Sequence, residues 1–372
     1  MALLWVFVVV LSTLYGAMVV AFIVGLLRIP RENGIPTRQP IPISVIVPIR
    51  NEEHNLDGLL SSLAAQDYPK DFLEVIMVND HSTDSSSDRV NSWRPEMDNL
   101  LMVGLPHGTT GKKNAMAVGV ERAKYDFIVL TDADCSHPKS WLEAMAQGFD
   151  TEETKMVIGP VMIKYGTNFF QRMQTLEHAS LQAATFGGCG LGIPFMAGSA
   201  NLAFHRERVG FNREMLNPAH PSGDDVFLLH GAKRQGRGAI GCVHSPQALV
   251  NTKPAEGLTE FLFQRARWAS KAPLYRDVVA ILVALTVLIF NLMLLFLVVS
   301  LFFIHGAPLA LATAFSVKTL VDFPLLWIYL KRYGKTSILW VFIPLQLLYP
   351  FYIALAFALS GMAPVRWKRD SA

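Results

Sequence analysis

The sequence predicts an α/β domain built on a mixed, mainly parallel sheet, with one N-terminal and about three C-terminal transmembrane segments. Two observations carry this expectation. Short, continuous apolar runs alternate with helical stretches between residues 40 and 276, and long apolar segments flank that region, one before it and three after. Strands of a parallel sheet covered on both faces read in this way.

The first apolar segment, residues 2–27, carries no charge, and a span needs about 20 such residues. It lacks a basic leader and a small-residue cleavage site, so residues 1–28 are expected to be a retained anchor. After residue 276, the stretch 278–304 is uncharged, 308–330 is apolar but holds Lys318 and Asp322, and 338–361 contains Pro344 and Pro350. These lie within an expected membrane region 277–362, followed by a basic tail, 363–372. Charges inside a span are often functional, although an i, i+4 pair such as Lys318 and Asp322 is equally well explained by mutual pairing.

Orientation follows from the basic flanks. Arg28 and Arg31 follow the first segment, and Arg265, Arg267, Lys271 and Arg276 precede the second. The intervening domain, 40–276, is therefore expected on the cytoplasmic side of a cell (inner) membrane. Lys331, Arg332, Lys335 and the tail residues Arg366, Lys368 and Arg369 all favour the inside too. Four full crossings cannot satisfy both sets, and a re-entrant hairpin would. The three cysteines, Cys135, Cys189 and Cys242, suggest neither a zinc pattern nor a disulfide framework, which suits a reducing compartment.

Within the central region, "ISVIVPIRNEE" (43–53) is an apolar run broken at Pro48 before an acidic helix start. "EVIMVNDHSTDSSS" (74–87) and "YDFIVLTDADC" (125–135) repeat the plan, and "KMVIGPVMI" (155–163) is a candidate fourth strand. Ligands of such sheets gather beyond the carboxyl ends of the strands. Pro48, Arg50, Asp80, Asp132 and Asp134 fall there. The chain has no GxGxxG after its first strand and no phosphate-loop motif. "GTTGKKNAM" (108–116) supplies glycine, two lysines and a helix start suited to phosphate; a solvated basic turn explains it equally well.

Two carboxylates at the end of an apolar strand, Asp132 and Asp134, call for a cation. Mg2+ or Mn2+ takes hard oxygen ligands, commonly one or two carboxylates plus substrate phosphates. The plainer reading, a helix cap, accounts for Asp134 but not Asp132. "SGDDVFLLH" (222–230) pairs Asp224 with Asp225 ahead of an apolar helix, where acids also serve as caps. In "FLFQRARWASK" (261–271), Gln264, Arg267 and Trp268 share one helical face at i, i+3, i+4. An interfacial helix explains the arginine and tryptophan, not the glutamine. Residues 168–204 begin as an amphipathic helix and are expected to turn into a small-residue loop before Gly198.

Taken in order, "VPIRNEE", "VNDHSTD", "GKKNAM", "TDADC", "SGDD" and "QRARW" resemble the membrane-bound, inverting family-2 glycosyltransferases. The resemblance runs through nearly the whole central region. It implies a GT-A, nucleotide-diphospho-sugar transferase fold, with interfacial helices near 168–185 and 258–271. It further implies that Pro48, Arg50, Glu52 and Asp80 contact the base and ribose, with Lys112 near the diphosphate. Asp132 and Asp134 match the family's DxD, which binds Mg2+ or Mn2+ and the sugar nucleotide. Asp225 matches the catalytic base, with Asp224 beside it. Gln264, Arg267 and Trp268 match QxxRW, where the arginine meets diphosphate and the tryptophan borders the acceptor.

Three departures stand out. Asn79-Asp80 replaces a double aspartate, Ala117 stands where many relatives carry asparagine, and "GDDV" differs from the GDDR of some polysaccharide synthases. The implied activity is metal-assisted, inverting transfer from a nucleotide diphosphate sugar, UDP-linked by expectation, to a lipid or membrane-associated glycan acceptor. No nucleic-acid partner is expected. The alternatives are a processive polysaccharide synthase that extrudes its product, and a non-catalytic scaffold that binds sugar nucleotides.

Overall fold

A computed structural model describes residues 2–30, 39–166, 168–217, 220, 223–236 and 238–361. Arg31, Ser222 and the tail 363–372, which entered the sequence expectations, lie outside the described residues. Two compact units emerge, a sheet unit from 39–164 and 196–253 and a helical unit from 2–30, 165–195 and 254–361.

In the sheet unit, β1 (Ile43–Ile49), β2 (Leu73–Asn79), β3 (Leu100–Gly104) and β4 (Phe127–Leu130) run parallel, β3-β2-β1-β4. All of β1 is buried, as expected for a strand covered on both faces. Leu56, Leu59 and Leu63 of the Glu53–Ala64 helix pack with Val45, Val47, Val75, Met77 and Trp141 in one apolar cluster. Each such side chain contributes about 1.5–3 kcal/mol on burial.

The sheet then becomes mixed. β5 (Met156–Ile158), β7 (Leu202–His205) and β8 (Ile240–Cys242) extend it as β4-β7-β5-β8, with β7 antiparallel to both neighbours. β6 (Val161–Ile163) and β9 (Val250–Thr252) form a separate parallel pair.

Two strand expectations are corrected. The run 155–163 is two strands in two sheets, because Gly159-Pro160 interrupts the ladder. A Cβ on Gly159 would lie 2.3 Å from the Asn201 side chain, so glycine allows the crossing. Conversely, β1 runs through Pro48 rather than breaking there. Pairing with β4 ends at Ile46 and Leu130, so the missing proline N–H leaves no ladder bond empty on that side.

The helical unit holds four helices long and apolar enough to cross a membrane: Ala2–Arg28, Val278–Ser300, Ala307–Arg332 and Thr336–Ser360. Lys318 and Asp322 do pair, and Gln346 bonds to both while the Tyr15 hydroxyl donates to Asp322 at 2.8 Å. Every member of this buried group thus has a partner, as burial of charge requires. Cys135 is free and buried.

The expected amphipathic helix is present and the loop before Gly198 follows it, but the helix is longer than the 168–185 expected. The helix runs on through its glycines, Phe169–Gly190, because they lie against the first helix. A Cβ on Gly25 would fall 1.9 Å from the Gly187 carbonyl oxygen, and one on Gly187 would fall 2.6 Å from Phe22. Gly25→Ala should therefore lower the thermal midpoint of the detergent-solubilised protein by at least about 4 °C. Gly58→Ala, in a helix with open space around it, should leave it level or raise it, since alanine favours helix over glycine.

Candidate active site

The carboxyl ends of β1, β2 and β4 place their following loops together. Arg50 follows β1 and Asp80 follows β2, and their side chains meet at 3.1 Å. Asp80 is fully buried; the same Oδ2 also accepts from the Gly111 N–H at 2.8 Å. Its Oδ1 has no hydrogen-bond partner among the described residues. A buried carboxylate oxygen left without a donor is costly, and an N–H or hydroxyl of a bound ligand would relieve it.

The two loops are laced together. The Ser82 hydroxyl accepts from Asn51 N–H, the Ser86 hydroxyl accepts from Glu52 N–H, and Asn51 Oδ1 accepts from Thr83 N–H at 2.8 Å. Asn51 and His81 both take left-handed backbone, φ 52° each. Asn79 bonds to the Ser82 N–H and the Ser87 hydroxyl. It braces this loop, Nδ2 donating and Oδ1 accepting; an aspartate would do so only with the Ser87 hydroxyl turned to donate. Glu52 accepts from Asn55 at 2.6 Å, and Lys253 donates to Asn55. Pro48 is buried inside β1.

Lys112 begins the Lys112–Arg122 helix, after Gly111 at φ 100°. Its ammonium lies 2.6 Å from Asp132 Oδ1 and donates to the Ser199 hydroxyl at 2.8 Å. Burial opposes this charge, but Asp132, Asp224 and Asp225 outweigh it and hold the ammonium above the ordinary lysine range. The β4 loop and the "GDD" segment thus act on one cation. The sequence expectation of a cation at Asp132 is met first by this lysine.

Asp134 Oδ2 accepts from the Thr252 hydroxyl at 2.9 Å. Beneath the loop, the Thr131 hydroxyl contacts His137 Nε2 at 2.8 Å and donates to the Ala200 carbonyl, while His137 Nδ1 meets Ser62 at 3.0 Å. Trp141 donates to Asn201, whose amide donates to the Pro160 and Ala248 carbonyls. Sequence reasoning missed Thr131, His137, Ser199, Asn201 and Thr252. The small-polar run "GSAN" (198–201) before an apolar strand was a usable signal for two of them; Thr252 had none.

Asp224 and Asp225 open the Asp224–Lys233 helix after Gly223, φ 90°. Asp225 Oδ1 accepts from the Val226 N–H at 2.7 Å; neither acid is the N-cap, which is Gly223, and both lie in the first turn where the helix dipole favours negative charge. Lys113 donates to the Asn217 carbonyl at 2.9 Å and lies over the Phe227 ring, tying this segment to the neighbouring helix. Gln264, Arg267 and Trp268 belong to the Leu258–Ala269 helix of the helical unit.

Among the described residues, no group of three or more His, Cys, Asp or Glu could hold a metal ion. A divalent ion here would rest on Asp132 and Asp134 and would need ligands from a phosphate-bearing substrate. The donor set, hard carboxylate oxygens beside a site that already attracts a cation, fits that use.

The model of "Glycosyl transferase family 2" matches residues 44–207, and that of "Glycosyl transferase family group 2" matches residues 127–358. The chain is 31% identical over 150 residues to the probable glycosyltransferase YdaM of Bacillus subtilis, covering 39% of this chain and 36% of that protein. It is 31% identical over 149 residues to the undecaprenyl-phosphate 4-deoxy-4-formamido-L-arabinose transferase of Aeromonas hydrophila, covering 38% and 44%. The aligned stretches span less than half the length of these relatives. A mannosyltransferase from Pyrobaculum calidifontis, solved with GDP-Man and Mn2+, superposes with a TM-score of 0.52 at 19% identity, covering 94% of this chain and 98% of that one. The shared architecture is the GT-A fold.

Burial pushes His137 down to about 3 from an ordinary value of 6.5. The folded state therefore holds this ring neutral while the unfolded chain protonates it below about pH 6.5. The stability it contributes is complete above that pH and is lost as pH falls towards 3. Thermal midpoints measured from pH 8 to pH 5 should drop on the acid side, and His137→Gln should flatten the drop.

Proposed function

The chain belongs to glycosyl transferase family group 2, and on that premise we propose a membrane-embedded glycosyltransferase. It moves one sugar, with inversion, from a nucleotide diphosphate sugar to a lipid or membrane-associated acceptor. The observation that carries the proposal is Lys112, which sits in ion-pair contact with Asp132 and in the field of Asp224 and Asp225. A donor-binding pair and an acid pair from distant parts of the sequence thereby share one locus.

In this reading Asp80, with its unpartnered buried oxygen, reads the nucleoside together with Arg50 and Glu52, and a UDP-linked donor is preferred. Lys112 moves towards the diphosphate. Asp132 and Asp134 hold Mg2+ or Mn2+, which when bound neutralises the departing diphosphate. Asp225 removes the acceptor hydroxyl proton on the face opposite the leaving group, and Asp224 supports it. The roles of Gln264, Arg267 and Trp268 at the diphosphate and acceptor are proposed from the sequence motif. Pro48, buried inside β1, is proposed from the sequence motif as a further contact of the base and ribose. The four apolar helices and the basic flanks support an inner-membrane protein with its catalytic domain in the cytoplasm, and the relative that acts on undecaprenyl phosphate supports a lipid acceptor.

Purified protein incubated with a panel of nucleotide sugars and membrane lipids, followed by mass analysis, should yield a lipid product carrying a single added sugar. A ladder of additions would instead indicate the processive synthase. Asp225→Asn should lose about 100- to 10,000-fold in turnover while retaining UDP affinity; wild-type turnover would remove Asp225 from the role of base.

The metal assignment is tested by Mn2+ titration with calorimetric or electron paramagnetic detection. Asp134→Ala should weaken donor-dependent Mn2+ binding. Lys112→Met should strengthen donor-free Mn2+ binding by a factor on the order of several-fold, because a competing positive charge is gone, while transfer falls. Unchanged Mn2+ binding in both variants would contradict the ligand assignment.

A further inference from the structure

The run "QRARW" (264–268) contains a second arginine, Arg265, that takes no part in the motif expected from sequence. On the Leu258–Ala269 helix it turns inward and is 3% exposed, whereas Gln264, Arg267 and Trp268 are each partly exposed. A buried arginine requires partners on most of its edges. Arg265 has them at both terminal nitrogens: Nη2 pairs with Glu177 Oε2 on the Phe169–Gly190 helix and Nη1 donates to Gln264 Oε1 at 2.9 Å, while the buried Nε has no hydrogen-bond partner among the described residues. Its guanidinium carbon lies 4.0 Å from the Trp268 ring centroid and 4.7 Å from that of Phe261.

Glu177 is equally buried, and its second oxygen accepts from the Tyr352 hydroxyl at 3.1 Å. The same helix grips the segment leading into Leu258–Ala269 a second time. Gln174, 1% exposed, donates to the Ala255 carbonyl at 3.0 Å and accepts from the Ala255 N–H at 2.9 Å. His178, adjacent in sequence to Glu177, faces Trp268 with ring centroids 6.2 Å apart. All of these residues belong to the helical unit.

We propose that Arg265, held by Glu177, is the positioning residue of the glycosyltransferase signature. One edge of its guanidinium orients the Gln264 amide and its face orients the Trp268 indole. The inference rests on the transferase reading, and specifically on a functional role for Gln264 and Trp268. A planar, five-donor fork suits this task; lysine, a point charge without a face to stack, does not. Glu177 fixes the fork from the opposite edge, so the two signature residues inherit the rigidity of a buried ion pair anchored to a neighbouring helix. Removing one member of such a pair leaves the other buried without compensation, whereas replacing both with apolar residues of similar volume is tolerated.

The test uses the full chain in detergent or nanodiscs and compares thermal midpoint with kcat/KM for transfer. Arg265→Lys should leave the midpoint within a few degrees yet lower kcat/KM by at least about tenfold. The paired variant Glu177→Leu, Arg265→Met should recover the midpoint lost by Glu177→Leu alone but not the activity. In a Trp268→Ala background, Arg265→Lys should cost less than about twofold more, because residues acting through one another are not additive. Recovery of wild-type kcat/KM by the paired variant, or additive losses from Arg265→Lys and Trp268→Ala, would overturn the positioning role. Absence of transfer by the wild-type protein with every nucleotide sugar would instead be a failure of the transferase reading itself.

Discussion

One half-buried ammonium organises the sheet unit. Lys112 meets Asp132 at 2.6 Å, and Asp224 and Asp225 add to the field that keeps it charged. A cation removed from water is tolerated only where opposite charge and hydrogen bonds replace the lost solvation. Lys112 thus lies within electrostatic reach of two separate segments besides its own helix start, the loop after β4 and the start of the Asp224–Lys233 helix. Each must be held in place by residues with no chemistry of their own to perform. Ser199 accepts from the ammonium, Thr131 and His137 fasten the base of the β4 loop, and Thr252 turns Asp134.

The same economy operates at the neighbouring loops after β1 and β2. Asp80 is anchored on one oxygen by Arg50 and the Gly111 N–H, and the loops carrying Arg50 and Asp80 exchange serine, threonine and asparagine hydrogen bonds along their length. Pre-organisation of this kind lowers the cost of ordering when a ligand arrives. It also connects the two halves of the chemistry, because Gly111 caps the helix that begins with Lys112. Substituting Gly111 would strain a backbone at φ 100° and disturb both its hydrogen bond to Asp80 and the charge cluster together.

Much of this was legible in the sequence where local pattern and function coincide. β1, β2 and β4 are continuous apolar runs ending in charged residues, and a parallel sheet puts such ends on one side. The acid pairs were likewise visible, Asp132 as a charge that no strand or cap needs and Asp134, Asp224 and Asp225 as acids open to a helix-start reading as well. What escaped has physical reasons. β8 and β9 are three residues each, too short for periodicity to register, and β7 runs antiparallel, which its sequence does not encode. The Phe169–Gly190 helix continues through glycines that looked like a loop, because a close helix contact overrides their low helical propensity. Thr252 and Ser199 are important only through partners distant in sequence, and Arg265 was overlooked because its neighbours matched a motif and it did not.

The most direct test of the charge cluster is lysine acylation footprinting, read by peptide mass spectrometry at mildly alkaline pH. A protonated, ion-paired Lys112 should react far more slowly than the exposed Lys70. Asp132→Asn and, separately, Asp224→Asn should each raise its reactivity without altering that of Lys70. Should Lys112 in the wild-type protein react as readily as Lys70, and remain indifferent to Asp224→Asn, the two acid segments would not converge on it and the account would fail.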